Sequence, residues 1–531
     1  MPVASPISPP SPTPRSNVLR STVIVSSARL LYILLSLSSG VLSARYFGTS
    51  VQKDCYVVAQ TVPGLMTTLL AGGVYITLLV TLAEIGRREG LRAQRAFTRR
   101  MLWHLTLLLG PLAIAAIVLA RPIVTLVAPG FPPRSIALSA QLLRIAFPGA
   151  AVSIYFTVGR CLFETRSQFV IPRFVNTLIP LVSLGVLVFL FDRLGIFCLV
   201  VGPLLGGLVA CALLSAFARG MLRDPEGFTP EPPASDGHSE KHRRLWVMLL
   251  PMSLASNFGQ INLLVDNAFA SYLPAGSITM LGFAFVILSN TELLTTISMA
   301  EVAFTRLIAA AVRGADELRD TFRSNLNFMV IVAAPLSAGA LSLGVPLVRL
   351  LFQRGEFSLD ATAGVARLLG CYSLEILFTA HLLLFSSVLF ARRRLAMVAW
   401  CSAGAILANT ALDYLLMKPF GVDGIALATT GVALAHLLVL AFAARREVPD
   451  LMPPGYRAYA TKVLGSAALM GALVFAWKSI YEGYVDVGFE AARLCEVAGG
   501  LGLGAGSYVG LLHLLKVPEV REIARRIRRS I

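Results

Sequence analysis

Residues 111–131 read PLAIAAIVLARPIVTLVAPGF, and residues 335–357 read PLSAGALSLGVPLVRLLFQRGEF. Pro111 falls against Pro335 and Pro122 against Pro346, both at an offset of 224. Working outward, 141-QLLRIAFP matches 367-RLLGCYSL at an offset of 226, and the FETR of Phe163–Arg166 matches the FARR of Phe390–Arg393. Further upstream, 44-ARYFGTS is similar to 270-ASYLPAGS. The chain is internally duplicated, and each copy is built from apolar stretches near the ~20 residues that cross a bilayer.

Composition agrees with that scale. The 531 residues are 56% hydrophobic and 14% charged, whereas soluble domains carry roughly 25% charged residues. A surface with so few charges must face lipid, which excludes a soluble multidomain enzyme. Seven scattered cysteines without a CxxC and six dispersed histidines supply neither a disulfide framework nor a metal-hydrolase site. The Pro/Ser-rich residues 1–20 are expected to be a disordered cytoplasmic tail.

Fourteen spans are expected, at about 21–47, 55–85, 101–128, 136–163, 168–192, 194–219 and 244–272 in the first half. The remaining seven fall at about 277–307, 322–353, 361–391, 394–417, 421–444, 458–480 and 491–515. With the N-terminus inside, the inner connections hold 33 Lys and Arg and the outer ones 8. This alternating bias is the positive-inside pattern, and it puts both termini in the cytoplasm. It also disposes of nucleic-acid binding, since the formal charge of +17 is dispersed over loops that set topology. Six spans separate the two copies, an even number, so they are parallel repeats. The expected fold is therefore an all-α polytopic membrane protein. An N-lobe (21–221) and a C-lobe (244–446) of six helices each flank a polar linker (222–243). Two further helices lie in 447–515, and a basic amphipathic helix in 516–531. Paired six-helix lobes around a cleft suit a transporter that rocks between two access states.

The sequence resembles the MurJ/MviN lipid II flippases of the multidrug/oligosaccharidyl-lipid/polysaccharide exporter superfamily. The resemblance is carried in order by 45-RYFGTSVQKDCYVVAQTVP, 127-VAPGF, 169-FVIPRFVNTLIP, 262-NLLVDNAFASYLPAGS, 351-LFQRGEF, 409-NTALDYLLMKPFGVDGIALAT and 516-KVPEVREIARRI. It implies a non-enzymatic function in the bacterial inner membrane: moving a polyprenyl-pyrophosphate-linked peptidoglycan precursor across the bilayer, with the lipid tail in a groove of the last two helices. Membrane lipids and the lipid-linked saccharide are the expected partners, no cofactor is expected, and a monomer is expected.

The resemblance also implies a cleft lined by arginines, because a guanidinium fork suits phosphate oxygens. Here only Arg29 of the first span can serve that role, with Leu37-Ser38-Ser39-Gly40 where a second arginine is expected. Thr67-Thr68 and Phe285-Val286 replace charged pairs of the second and eighth spans, while Asp54 is kept. Arg29 and Asp54 are thus the expected cleft residues of a divergent, arginine-poor member. Export of another lipid-linked oligosaccharide or exopolysaccharide unit is one alternative; a non-transporting scaffold of envelope synthesis is another.

Ionisable residues inside spans are costly and point to function. Asn409 and Asp413, four apart, share a face of the eleventh span. Together with Asp266, Thr429 and the backbone near Ile425, they match positions that resemble a sodium site in the family, and oxygen ligands suit such ions. A hydrogen-bonded polar knot that only packs the lobe is the other reading. Glu292, Glu301 and Glu375 are not family features; they could replace missing charges or carry protons, so sodium or proton coupling is open.

Overall fold

The computed structural model describes residues 15–88, 90–166, 168–221 and 258–519. The inter-lobe linker, the first part of the seventh span, most of the N-terminal tail and most of the C-terminal basic helix lie outside them. The described chain is helical. In the first half the helices are α1 (Arg15–Phe47), α2 (Val51–Arg88), α3 (Gly90–Val118), α4 (Ala120–Val127), α5 (Pro133–Glu164), α6 (Val170–Leu194) and α7 (Cys198–Met221). In the second half they are α8 (Phe258–Ala270), α9 (Ser277–Glu292), α10 (Ser298–Arg313), α11 (Ala315–Phe352), α12 (Leu359–Ala391), α13 (Leu395–Phe420) and α14 (Val422–Glu447). Two more close the chain, α15 (Tyr456–Tyr484) and α16 (Glu490–Leu514).

Among the described residues, 11 helical segments are long and apolar enough to cross a membrane by length and composition. One of them, Val170–Arg219, runs for 50 residues and is turned by a 3-10 segment at Gly195–Phe197. Gly195 takes φ +52° there, a left-handed conformation open to glycine. The duplication is visible in the element pattern. Helices α5, α6 and α7 have 32, 25 and 24 residues; α12, α13 and α14 have 33, 26 and 26.

The copies differ at their prolines. The apolar run 101–128 does not form one rod, because the helix breaks at Leu119 between α3 and α4. Pro122 has no N–H to offer the carbonyl of Val118, which removes a helical bond at that point. Its counterpart Pro346 sits within the unbroken α11.

The chain forms two compact units. The first holds the described residues within 1–43, 62–120 and 140–257; the second holds those within 44–61, 121–139 and 258–531. In the first unit Phe156, Phe163, Val175, Ala210 and Leu214 pack α5, α6 and α7 together. In the second unit α10, α11, α12 and α14 share a core around Leu307, Phe322, Leu326, Leu384 and Leu440. The rings of Phe322 and Phe385 lie 5.1 Å apart there. A second core fastens α15 and α16 to α11 through Val330, Leu343, Val463, Met470 and Tyr508. Helix α12 starts where Ser358 Oγ accepts the Ala361 N–H at 3.1 Å, an N-cap that satisfies one free donor.

Candidate functional site

Three helices of the second unit carry the polar constellation. Asp266 lies on α8, Asn409 and Asp413 one turn apart on α13, and Thr429 and Ile425 one turn apart on α14. Asn409, Asp413 and Ile425 have no exposed surface, and Asp266 is buried. The Asn409 amide donates to Asp266 Oδ1 at 2.9 Å and to Asp413 Oδ2 at 2.8 Å. The Thr429 hydroxyl donates to the Ile425 carbonyl at 3.1 Å and is within reach of Asp266.

The donor count does not close. Asp266 and Asp413 share the Asn409 amide as their donor, and two carboxylates have no proton to give each other. Asp413 Oδ1 and Asn409 Oδ1 are buried with no hydrogen-bond partner among the described residues. Buried oxygens are almost always satisfied, and two adjacent buried anions repel strongly. Such a set of hard oxygens suits a small cation or a shared proton.

Asp54 opens α2, and both of its carboxylate oxygens accept hydrogen bonds from α9 and the residue before it. Its Oδ2 accepts the Gly276 N–H at 2.5 Å; its Oδ1 accepts the Thr279 N–H at 2.8 Å and the Thr279 hydroxyl at 2.6 Å. It is a charged cap on the N-terminus of α9, where the helix dipole favours an anion. Gly276 precedes that helix at φ +91°, and a Cβ there would meet the Thr49 carbonyl oxygen at 2.5 Å. The Asn267 amide donates to Thr61 Oγ1 at 3.1 Å, and Glu356 N–H donates to the Arg45 carbonyl at 2.9 Å. Segment 44–61 is thereby tied into the second unit. Arg29 belongs to the first unit, on the exposed side of α1.

The three expected extra carboxylates separate. Glu292 is buried, and its Oε1 has no hydrogen-bond partner among the described residues. Glu375 lies on α12 with a buried Oε2 that has no hydrogen-bond partner among the described residues. Glu301 is exposed on α10. A π turn, Leu293–Ile297, follows Glu292 directly.

Two charge clusters escaped the sequence reading. Arg349 of α11 pairs with Glu482 of α15 at 2.7 Å and with Glu496 of α16 at 3.4 Å; Glu496 has no exposed surface. Its position inside the last apolar segment was the available signal. In the first unit Glu164 pairs with Arg160 at 3.4 Å and accepts the Tyr75 hydroxyl at 2.8 Å. Arg160 also stacks 4.2 Å from the Tyr75 ring. A carboxylate four residues after an arginine, at the end of a span, was the trace it left.

The family described as "Lipid II flippase MurJ" matches residues 43–496 of this chain. The chain belongs to the MurJ family. The probable lipid II flippase MurJ of Synechocystis is 25% identical over 527 residues, covering 95% of this chain and 96% of the relative. The lipid II flippase MurJ of Burkholderia cenocepacia is 22% identical over 510 residues, covering 94% and 98%. The solved structure titled "Lipid II flippase MurJ, inward closed conformation" superposes at a TM-score of 0.75 with 19% identity, over 93% of this chain and 99% of that one. An inward-facing MATE-family transporter of the MOP superfamily superposes at 0.67 with 13% identity. MurJ is a transporter family, so the chain is a multi-pass membrane transporter and not an enzyme. The Asp266–Asn409–Asp413 set lies within the MurJ match, as does Asp54.

Proposed function

We propose that this protein flips a polyprenyl-pyrophosphate-linked peptidoglycan precursor of the lipid II class across the bacterial inner membrane by alternating access. The observation that carries the reading is the match to a flippase family over residues 43–496, with relatives covered nearly end to end. In this reading the chain makes fourteen spans with both termini in the cytoplasm, works as a monomer, and holds the lipid tail beside α15 and α16. Arg29 contacts the anionic headgroup. Asp54, with its oxygens engaged on α9, holds segment 44–61 against that helix.

Asp266, Asn409, Asp413, Thr429 and the Ile425 carbonyl would hold a sodium ion, which would neutralise the two carboxylates. The unpartnered Asp413 Oδ1 and Asn409 Oδ1 support that assignment. A ligand that binds one access state better shifts the rocking equilibrium toward it, and the three helices joined at this site are the lever. A second reading keeps the mechanism and changes the glycan. It is favoured by Thr67-Thr68 and Phe285-Val286, which leave Arg29 as the headgroup cation assigned here.

Complementation tests the proposal. The chain should rescue cells depleted of their own lipid II flippase, and Arg29→Ala should lose the rescue at normal membrane abundance. Failure of the wild-type chain despite correct insertion would reject lipid II as the cargo. For the cation, sodium at about 100-fold above its dissociation constant should raise stability by about 2.7 kcal/mol. Asp413→Asn should abolish that increment. Identical melting in sodium and in a bulky organic cation would remove the site.

A further inference from the structure

A cavity of about 460 Å³ opens in the second unit between the Leu293–Ile297 π turn with α10 on one side and α11 on the other. Its wall includes Leu294, Met299, Val302, Phe328 and Val332, with Arg306 at one end beside Asn325. Neither α15 nor α16 contributes to it, so it is separate from the tail groove assigned to those helices. The volume falls within the range of built small-molecule sites, about 300–1,000 Å³. The π turn supplies Leu294 from its own span, and π turns recur at functional sites.

Depth follows from helix rise. Helix α9 and the end of α11 share a level, since the Phe283 and Phe352 rings lie 4.7 Å apart. At 1.5 Å per residue, Leu294 is about 26 Å and Arg306 about 43 Å below Ser277. Val332 and Asn325 are about 30 and 40 Å below Phe352 on the same count. With a hydrocarbon core about 30 Å thick, the cavity starts inside the apolar layer and ends at headgroup level. That end carries Arg313, Arg319 and Arg323, in the connection assigned to the cytoplasm by its basic residues.

Those three arginines are engaged. Arg313 pairs with Glu317 at 2.6 Å, Arg319 donates to the Pro449 carbonyl at 2.9 Å, and Arg323 donates to the Asp450 carbonyl at 2.6 Å. Among the described residues Arg306 has no hydrogen bond, ion pair or ring partner. Asn325 spends one amide hydrogen on the Thr321 carbonyl at 2.7 Å and keeps the other. Thr295 and Ser298 turn their hydroxyls back onto Thr291 and Leu293 carbonyls. The cavity therefore offers one cation and one amide at its polar end, below an apolar wall whose Leu294 and Val302 are more than half exposed.

We propose that this cavity binds a resident anionic phospholipid of the cytoplasmic leaflet, with the phosphodiester on Arg306 and Asn325 and an acyl chain against Met299, Val302, Phe328 and Val332. A single guanidinium matches a single phosphodiester, and the volume suits one chain segment. The inference rests on the cytoplasmic assignment of the basic loops and not on the identity of the transported glycan.

Native mass spectrometry of the full-length protein, with dioleoyl phosphatidylglycerol or dioleoyl phosphatidylcholine added to the micelle, tests it. Wild type should keep one phosphatidylglycerol that Arg306→Gln retains about tenfold less, equivalent to ~1.4 kcal/mol. Val302→Trp, which fills the cavity, should lose the same adduct, and Arg313→Gln should keep it. Equal phosphatidylglycerol occupancy in wild type and both cavity variants would overturn the proposal, as would equal retention of phosphatidylcholine. Displacement by a polyprenyl pyrophosphate from wild type but not from Arg306→Gln would reassign the site to the transported lipid.

Discussion

Replacing Asp54 by Asn tests how segment 44–61 is held to α9. The carboxylate accepts three hydrogen bonds, two from backbone N–H groups at the start of that helix. Asparagine keeps one oxygen, so its NH2 group must face either Gly276 N–H or the Thr279 donors. One lost bond to a charged acceptor costs about 1.5–3 kcal/mol. Loss of the anion at the helix N-terminus adds about 0.5–1 kcal/mol, for a total of about 2–4 kcal/mol. Local opening at the head of α9 should rise accordingly, by roughly 30-fold to 700-fold. Hydrogen exchange followed by mass spectrometry on peptides covering 272–285 reads this directly at the Gly276 and Thr279 amides. Thr279→Val removes only the hydroxyl bond to the same carboxylate and should cost about 1.5–3 kcal/mol, roughly 10-fold to 150-fold in exchange. Unchanged exchange in Asp54→Asn, or a larger effect from Thr279→Val than from Asp54→Asn, would refute the cap.

Other perturbations follow from the same contacts. Gly276→Ala must hold φ +91° and place a Cβ against the Thr49 carbonyl, so it should destabilise by about 1–3 kcal/mol in thermal melts. Arg349→Gln leaves Glu496 buried and uncompensated, costing about 3–5 kcal/mol; adding Glu482→Gln and Glu496→Gln should recover most of that loss. An Arg349→Gln protein that melts like wild type would mean that packing alone holds α15 and α16 to α11. Tyr75→Phe removes one hydrogen bond to Glu164 and should cost about 1.5–3 kcal/mol, measurable by denaturation in detergent.

Much of the architecture was legible in the chain. Span length, loop charge and the 224-to-227-residue repeat are sums over neighbouring residues, and each can be counted without knowing what a helix touches. The helix triplets α5–α7 and α12–α14 fall on that repeat because the same apolar lengths recur. The break at Leu119 was less legible: Pro122 and Pro346 occupy equivalent places, and only one of them interrupts a helix. Proline removes a bond in both, but the surrounding packing decides whether the rod continues.

The polar contacts divide in the same way. Asn409 and Asp413 lie one turn apart, so their shared face is a property of the sequence. That Asp266 joins them, 143 residues away from Asn409, came from family resemblance and is realised only in the fold. Asp54 reaching Gly276 across 222 residues, Arg349 meeting Glu482 across 133 and Arg306 facing an apolar cavity had no such guide. A span that is apolar all round shows no stripe to say which side faces the protein. Each residue step turns a helix by about 100°, so an unspecified rotation scrambles every partner. The sequence by itself determined how many apolar rods there are, how they repeat and which loops are basic. Tertiary packing alone decided how each rod is rotated, and with it which charges meet.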